Sequence, residues 1–101
     1  MMLAADTLQC AGRGSVTPEL ARDLLARGGQ LVDLRSPAAV RGDAWPGALN
    51  LPMDALGRDH RYLDKHGPVI VCGAGDIACV RAARMLAGQG FAQIYHLELP
   101  A

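Results

Sequence analysis

Apolar residues along the chain alternate between helical stripes and short unbroken runs. Leu20, Ala21, Leu24 and Leu25 recur at helical spacing opposite Arg22, Asp23 and Arg27, which predicts an amphipathic helix. Thr17-Pro18 opens it: the threonine can cap free amides, and proline at the first helical position has no N–H to lose. Gly28-Gly29 stops it. Ser15-Val16 precedes it as a very short strand, and Gln30-Leu31-Val32-Asp33-Leu34 follows as a strand ending at Arg35. Ser36-Pro37 starts a short helical turn through Val40, and Ala48-Leu49-Asn50 reads as an edge strand. Between Met53 and His66 the pattern is mixed. It predicts one or two short helices, with Asp59 capping the second and Tyr62 and Leu63 facing inward.

Val69-Ile70-Val71-Cys72 is an uninterrupted apolar run, as expected of a central strand covered on both faces. A helix over about 77–88 then turns Val80, Ala83, Leu86 and Ala87 inward and Arg81 and Arg84 outward. Gln93 to Leu97 forms the last strand. This strand–helix alternation predicts an α/β domain: a mainly parallel sheet of four or five strands with helices on both faces. The 101 residues leave room for one core. We expect a loose arm over residues 1–14 and a folded domain over 15–101.

Composition narrows the function classes. Ten basic residues balance ten acidic ones, so no whole-chain charge attracts nucleic acid or an anionic membrane, and neither is an expected partner. Three cysteines, at positions 10, 72 and 79, are too few and too scattered for a disulfide framework. No basic residue precedes Arg13, so the start of the chain does not read as a secretory signal, and a cytoplasmic location is expected. His60, His66 and His96 do not sit at ligand spacing with the cysteines, so no metal or other cofactor is expected.

The candidate chemistry lies in Cys72-Gly73-Ala74-Gly75-Asp76-Ile77-Ala78, between a buried strand and a helix. Ligands of parallel sheets collect beyond the carboxyl ends of strands, where helix N-termini present unpaired amides. A thiolate there gains from those amides and the helix dipole, which predicts a lowered pKa for Cys72. Gly73 and Gly75 let the backbone curl around the sulfur. Nucleophilic thiol chemistry is one reading; a small core hydrophobe is the other.

Five segments resemble, in order, the single-domain rhodanese family of sulfurtransferases, which carry a persulfide on one cysteine. They are Val16 to Leu20, Leu31 to Pro37, Trp45 to Pro52, Pro68 to Cys72, and Gly90 to Glu98. The resemblance implies a rhodanese-like three-layer domain with Cys72 as the catalytic residue and residues 73–78 as its active-site loop. It also implies a small-molecule or protein-borne sulfur donor and a thiol or cyanide acceptor.

The chain departs from the family pattern where anions are recognised. Ile77 stands at the position commonly held by Arg, Ala78 at the following Ser or Thr position, and Ala44 where the family often has His. Asp76 adds a negative charge. Thiosulfate is therefore expected to be a poor donor, and a catalytically inactive binding or structural module is the competing expectation. The dual-specificity phosphatase branch uses a loop one residue longer ending in Arg. Here no Arg appears before Arg81, so developing phosphoryl charge would go unclamped.

Asp33 and Arg35 have a structural reading, as a carboxylate satisfying backbone amides and its cation, and a pocket-shaping one. Trp45 either packs over the sheet edge or walls the pocket. Cys79 is either a packed helix cysteine or a thiol that resolves an oxidised Cys72 by forming a disulfide. Because only Leu99-Pro100-Ala101 follow Glu98, a homodimer covering the last strand is a further expectation.

Overall fold

The computed structural model describes residues 14–42 and 45–97. Its strands are β1 (Gly14–Val16), β2 (Gln30–Asp33), β3 (Leu49–Asn50), β4 (Val69–Cys72) and β5 (Ile94–Leu97). They form one five-stranded sheet in the order β1-β5-β4-β2-β3, with every pairing parallel. The helices are α1 (Pro18–Ala26), α2 (Pro37–Val40), α3 (Leu56–Asp59) and α4 (Gly75–Gly88), with 3₁₀ turns at Met53–Ala55 and His60–Tyr62. The α/β fold class, the parallel sheet and its helical layers are as the sequence predicts. β1 begins at Gly14, the last residue of the expected arm. The rest of that arm, Ala44 and the tail on which the dimer expectation rests lie outside the described residues.

β4 sits at the centre of the sheet and is buried along its whole length. Successive strand residues face opposite sides, so β4 feeds two apolar layers. Val69 and Val71 pack with Ala82, Ala83 and Leu86 of α4 and with Leu56 of α3. Ile70 and Cys72 pack with Ala21 of α1, Leu31 and Leu97, with Leu24 and Leu25 against them. Helices therefore cover both faces, giving three layers.

The helix starts behave as their sequences dictate. Thr17 Oγ1 accepts from the Leu20 amide at 3.2 Å, with Pro18 opening α1. Ser36 Oγ accepts from the Ala39 amide at 3.3 Å ahead of Pro37.

Four side-chain expectations are corrected. Leu20 is exposed because it lies about 90° around the helix from the Ala21–Leu24–Leu25 stripe that meets the sheet. Tyr62 is also exposed, while Leu63 is buried. The 3₁₀ turn sends the ring outward, and the Arg61 guanidinium carbon lies 5.2 Å from its centroid. Asp59 makes no capping bond; its carboxylate accepts from Arg58 Nε at 2.9 Å instead. α4 starts two residues earlier than expected and buries Cys79, Ala82, Ala83 and Leu86. Ala87 is exposed and Val80 half-buried, because an alanine-rich helix has small apolar residues on several sides and periodicity does not fix its inner face.

Candidate active site

Asp33 and Cys72 are paired across β2 and β4 at the carboxyl end of the sheet. Asp33 is the one buried charged residue of the described core. Its Oδ1 accepts from the Arg35 amide at 3.0 Å and from Arg35 Nε at 3.1 Å, and its Oδ2 accepts from Arg35 Nη2 at 3.0 Å. Asn50 Nδ2 donates to the carbonyls of Asp33 and Arg35 at 3.0 and 2.9 Å, tying β3 into the same corner. Asp33 and Arg35 thus form an ion pair lying directly against the loop. A Cβ placed on Gly73 would fall 2.7 Å from Arg35 Cγ and 2.8 Å from Asp33 Oδ1.

Gly73, Ala74 and Gly75 all have positive φ, at 81°, 60° and 87°. Three consecutive left-handed residues turn the chain sharply from β4 into α4. Ala74, the one non-glycine with positive φ among the described residues, stores on the order of 1–2 kcal/mol of strain there.

Cys72 is buried, and its sulfur belongs to the apolar layer under α1 rather than to the mouth of α4. Burial pushes its thiol up to about 12, with Asp33 and then Cys79 adding to the rise and Arg35 opposing it. The expectation of a lowered pKa is therefore corrected. The strand pleat turns this side chain with Ile70 into the core, where desolvation outweighs helix-end stabilisation. The resting group is a neutral thiol.

Cys79 lies on the other side of the sheet, in the layer under α4. Its Sγ donates to the Gly73 carbonyl at 3.3 Å, fastening the first turn of α4 to the loop. Burial, followed by Asp76 and Asp33, pushes it up to about 11. Both thiols are free, and they face opposite layers. Trp45 is half-buried and packs, with Ala48, against the layer that holds Cys72.

Beyond the loop, a cleft of about 150 Å³ is lined by Gly73, Gly75, Asp76, Cys79, His96 and Leu97. Asp76 is exposed, and its Oδ1 lies 3.3 Å from His96 Nε2, an ion pair when the imidazole is protonated. Ile77 points into solvent, with 78% of its surface exposed. Arg81 and Arg84 are exposed further along α4. Among the described residues no cluster of three or more His, Cys, Asp or Glu could hold a metal, and no helix is long and apolar enough to cross a membrane.

Sequence reasoning missed His96 and Asn50. For Asn50 the signal was a lone amide inside Ala48-Leu49-Asn50-Leu51, where a strand end must satisfy two carbonyls. For His96 it was the parallel register that sets β5 beside the loop.

These features define a parallel α/β domain with a cysteine ending its central strand and a tight backbone loop leading into a helix. Residues 17–99 match the rhodanese-like domain, and the chain belongs to that family. It is 33% identical over 84 residues to the thiosulfate sulfurtransferase GlpE of Pseudomonas syringae pv. syringae, covering 82% of this chain and 78% of the relative. Solved structures share the fold. The Alr3790 protein of Anabaena sp. aligns with a TM-score of 0.72 at 24% identity, over 82% of this chain and 78% of that one. A rhodanese-related protein of Thermoplasma volcanium gives 0.69 at 21% identity, over 84% and 83%.

Proposed function

We propose that the protein is a sulfurtransferase that carries sulfane sulfur as a persulfide on Cys72 and passes it to a thiol or cyanide acceptor. The observation that carries this reading is the position of Cys72 in a chain of this family: the end of the central strand, paired with Asp33 and before the left-handed loop. In the first half-reaction the Cys72 sulfur attacks the outer sulfur of a persulfide donor. A new S–S bond forms, the donor's S–S bond breaks, and the donor leaves as a thiol carrying the proton that Cys72 gave up. In the second, an acceptor takes the outer sulfur and Cys72 is regenerated. With cyanide the product is thiocyanate.

Arg35 favours the thiolate form of Cys72, and loop amides supply further stabilisation when the sulfur turns toward them. Thiosulfate is the poor donor, because Ile77 and Ala78 offer it neither charge nor hydroxyl and Asp76 repels it. A low-molecular-weight or protein persulfide suits the site better. Two free buried thiols fit a reducing compartment, and we place the protein in the cytoplasm.

The burial of Cys72 and its raised pKa favour a second reading, a rhodanese-like module that binds or scaffolds without turnover. One experiment separates the two: sulfur transfer to cyanide from cysteine persulfide and from thiosulfate, in wild type, Cys72→Ser and Ile77→Arg. The transferase reading requires transfer from the persulfide that Cys72→Ser abolishes, with Ile77→Arg raising thiosulfate turnover. No transfer from either donor establishes the module. Unchanged activity in Cys72→Ser eliminates Cys72 as the carrier.

A further inference from the structure

The outer face of α4 carries a feature that the transfer chemistry leaves unused. Ile77, Val80, Arg81 and Arg84 fall at i, i+3, i+4 and i+7, one side of the helix. With Asp76 they line a groove of about 340 Å³. Ile77 is the most exposed of the large apolar residues described, and half-buried Val80 lies beside it. Both arginines are exposed, and among the described residues neither has an ion-pair partner. Of the other exposed arginines, Arg27 pairs with Asp23 at 3.2 Å and Arg58 with Asp59 at 2.9 Å, whereas Arg22, Arg41 and Arg61 also have no ion-pair partner among the described residues. What sets Arg81 and Arg84 apart is that they flank exposed Ile77 and half-buried Val80 in one groove. The groove's one carboxylate, Asp76, is turned toward His96. Asp76 also lines the cleft beside Gly73 and Gly75, so the groove and that cleft meet at Asp76.

We propose that this groove is the docking surface for an acidic, apolar segment of a partner protein that presents a sulfur-bearing cysteine to the Cys72 loop. The proposal rests on the sulfur-transfer reading and names its substrate class. Ile77 and Val80 take an apolar side chain of the partner. Arg81 and Arg84 take two carboxylates beyond it, and the partner's cysteine lies at the Asp76 end. Ile77 and Arg84 are about 10 Å apart along the helix, the reach of about three residues of extended chain. The partner motif is therefore a cysteine, an apolar residue and then an acidic pair. The partner's outer sulfur moves to the Cys72 sulfur, and the partner is left with a thiol. Two arginines around an apolar centre in a chain of zero net charge are too few for a nucleic acid or membrane footprint, which gathers many phosphate contacts.

The test uses fluorescein-labelled synthetic peptides, Cys-Gly-Leu-Ser-Glu-Glu and its charge-reversed form ending in Lys-Lys. Each is S-methylated for binding, which is followed by anisotropy at low salt. We expect the acidic peptide to bind at least about 10-fold more tightly than the basic one. That preference should be lost in Arg81→Glu/Arg84→Glu, and binding should weaken in Ile77→Ser and with added salt. Equal affinities, no binding of either peptide, or binding only to phosphatidylglycerol vesicles overturns the docking surface. A second arm loads the acidic peptide as its persulfide and follows thiocyanate release. Here Arg81→Glu/Arg84→Glu should lower kcat/KM about 10-fold while leaving transfer from cysteine persulfide unchanged. Selective binding with no transfer from any persulfide leaves the docking surface standing and overturns the sulfur-transfer reading instead.

Discussion

The two halves of the loop after β4 are built on different terms. Its inner half is locked: Gly73 lies against Arg35 and Asp33 with no room for a Cβ, and Asn50 ties the neighbouring carbonyls together. Its outer half, Asp76 to Ala78 in the first turn of α4, is largely exposed, and Asp76 there meets His96. The departures from the family's anion-binding pattern all fall in this outer half or at Ala44. Under the proposed function, the cysteine's scaffold and the groups that would meet a donor are thus physically separable. Recognition can change at little cost to the fold.

The sharpest way to break this contrast is at the inner half. Asp33→Ala removes the acceptor for the Arg35 amide and guanidinium, and we expect a loss of about 3 kcal/mol in urea unfolding. Gly73→Ala should cost about 2 kcal/mol, because the added Cβ meets Arg35 and φ is 81°. A loss under about 0.5 kcal/mol in either variant would show that the inner half is not locked.

The pH dependence of stability probes the same half. Cys72 has its pKa raised from 9.0 to about 12, so the folded state holds a proton that the unfolded chain releases first. Its contribution to stability is complete below about pH 9 and is lost as pH rises toward about 12. Cys72→Ala should flatten that alkaline decline in pH-dependent denaturation, and an unchanged slope would place the thiol in water.

Much of the inner half was legible in the sequence, for physical reasons. Val69 to Cys72 read as a central strand because four consecutive apolar residues need cover on both faces. Thr17-Pro18 and Ser36-Pro37 announced helix starts because caps are local chemistry. Other features depended on distant residues. The side chain of Cys72 faces α1 because of the strand pleat, and its environment is then set by Leu31, Leu97 and Ala21, far away in the chain. A helix following a cysteine therefore suggested a stabilised thiolate where the pleat delivers a desolvated thiol. Likewise the 3₁₀ geometry that turns Tyr62 outward, and the placement of His96 beside Asp76, come from tertiary register rather than local pattern.

At the outer half the expected effects are small for the fold and larger for recognition. Ile77→Arg should change stability by no more than about 0.5 kcal/mol, since the side chain is exposed. The same change should raise thiosulfate turnover about 10-fold by placing a cation in the first turn of α4. A substantial loss of stability would show that Ile77 packs in solution, and the contrast between the two halves would then fail.

The central claim is that Cys72 carries the transferred sulfur. The most direct measurement is mass spectrometry of the protein after brief incubation with cysteine persulfide, with the modified cysteine located by peptide mapping. We predict the gain of one sulfur atom on Cys72, its absence in Cys72→Ser, and its removal by cyanide with release of thiocyanate. Sulfur found on Cys79 instead, or on no cysteine, would contradict the account.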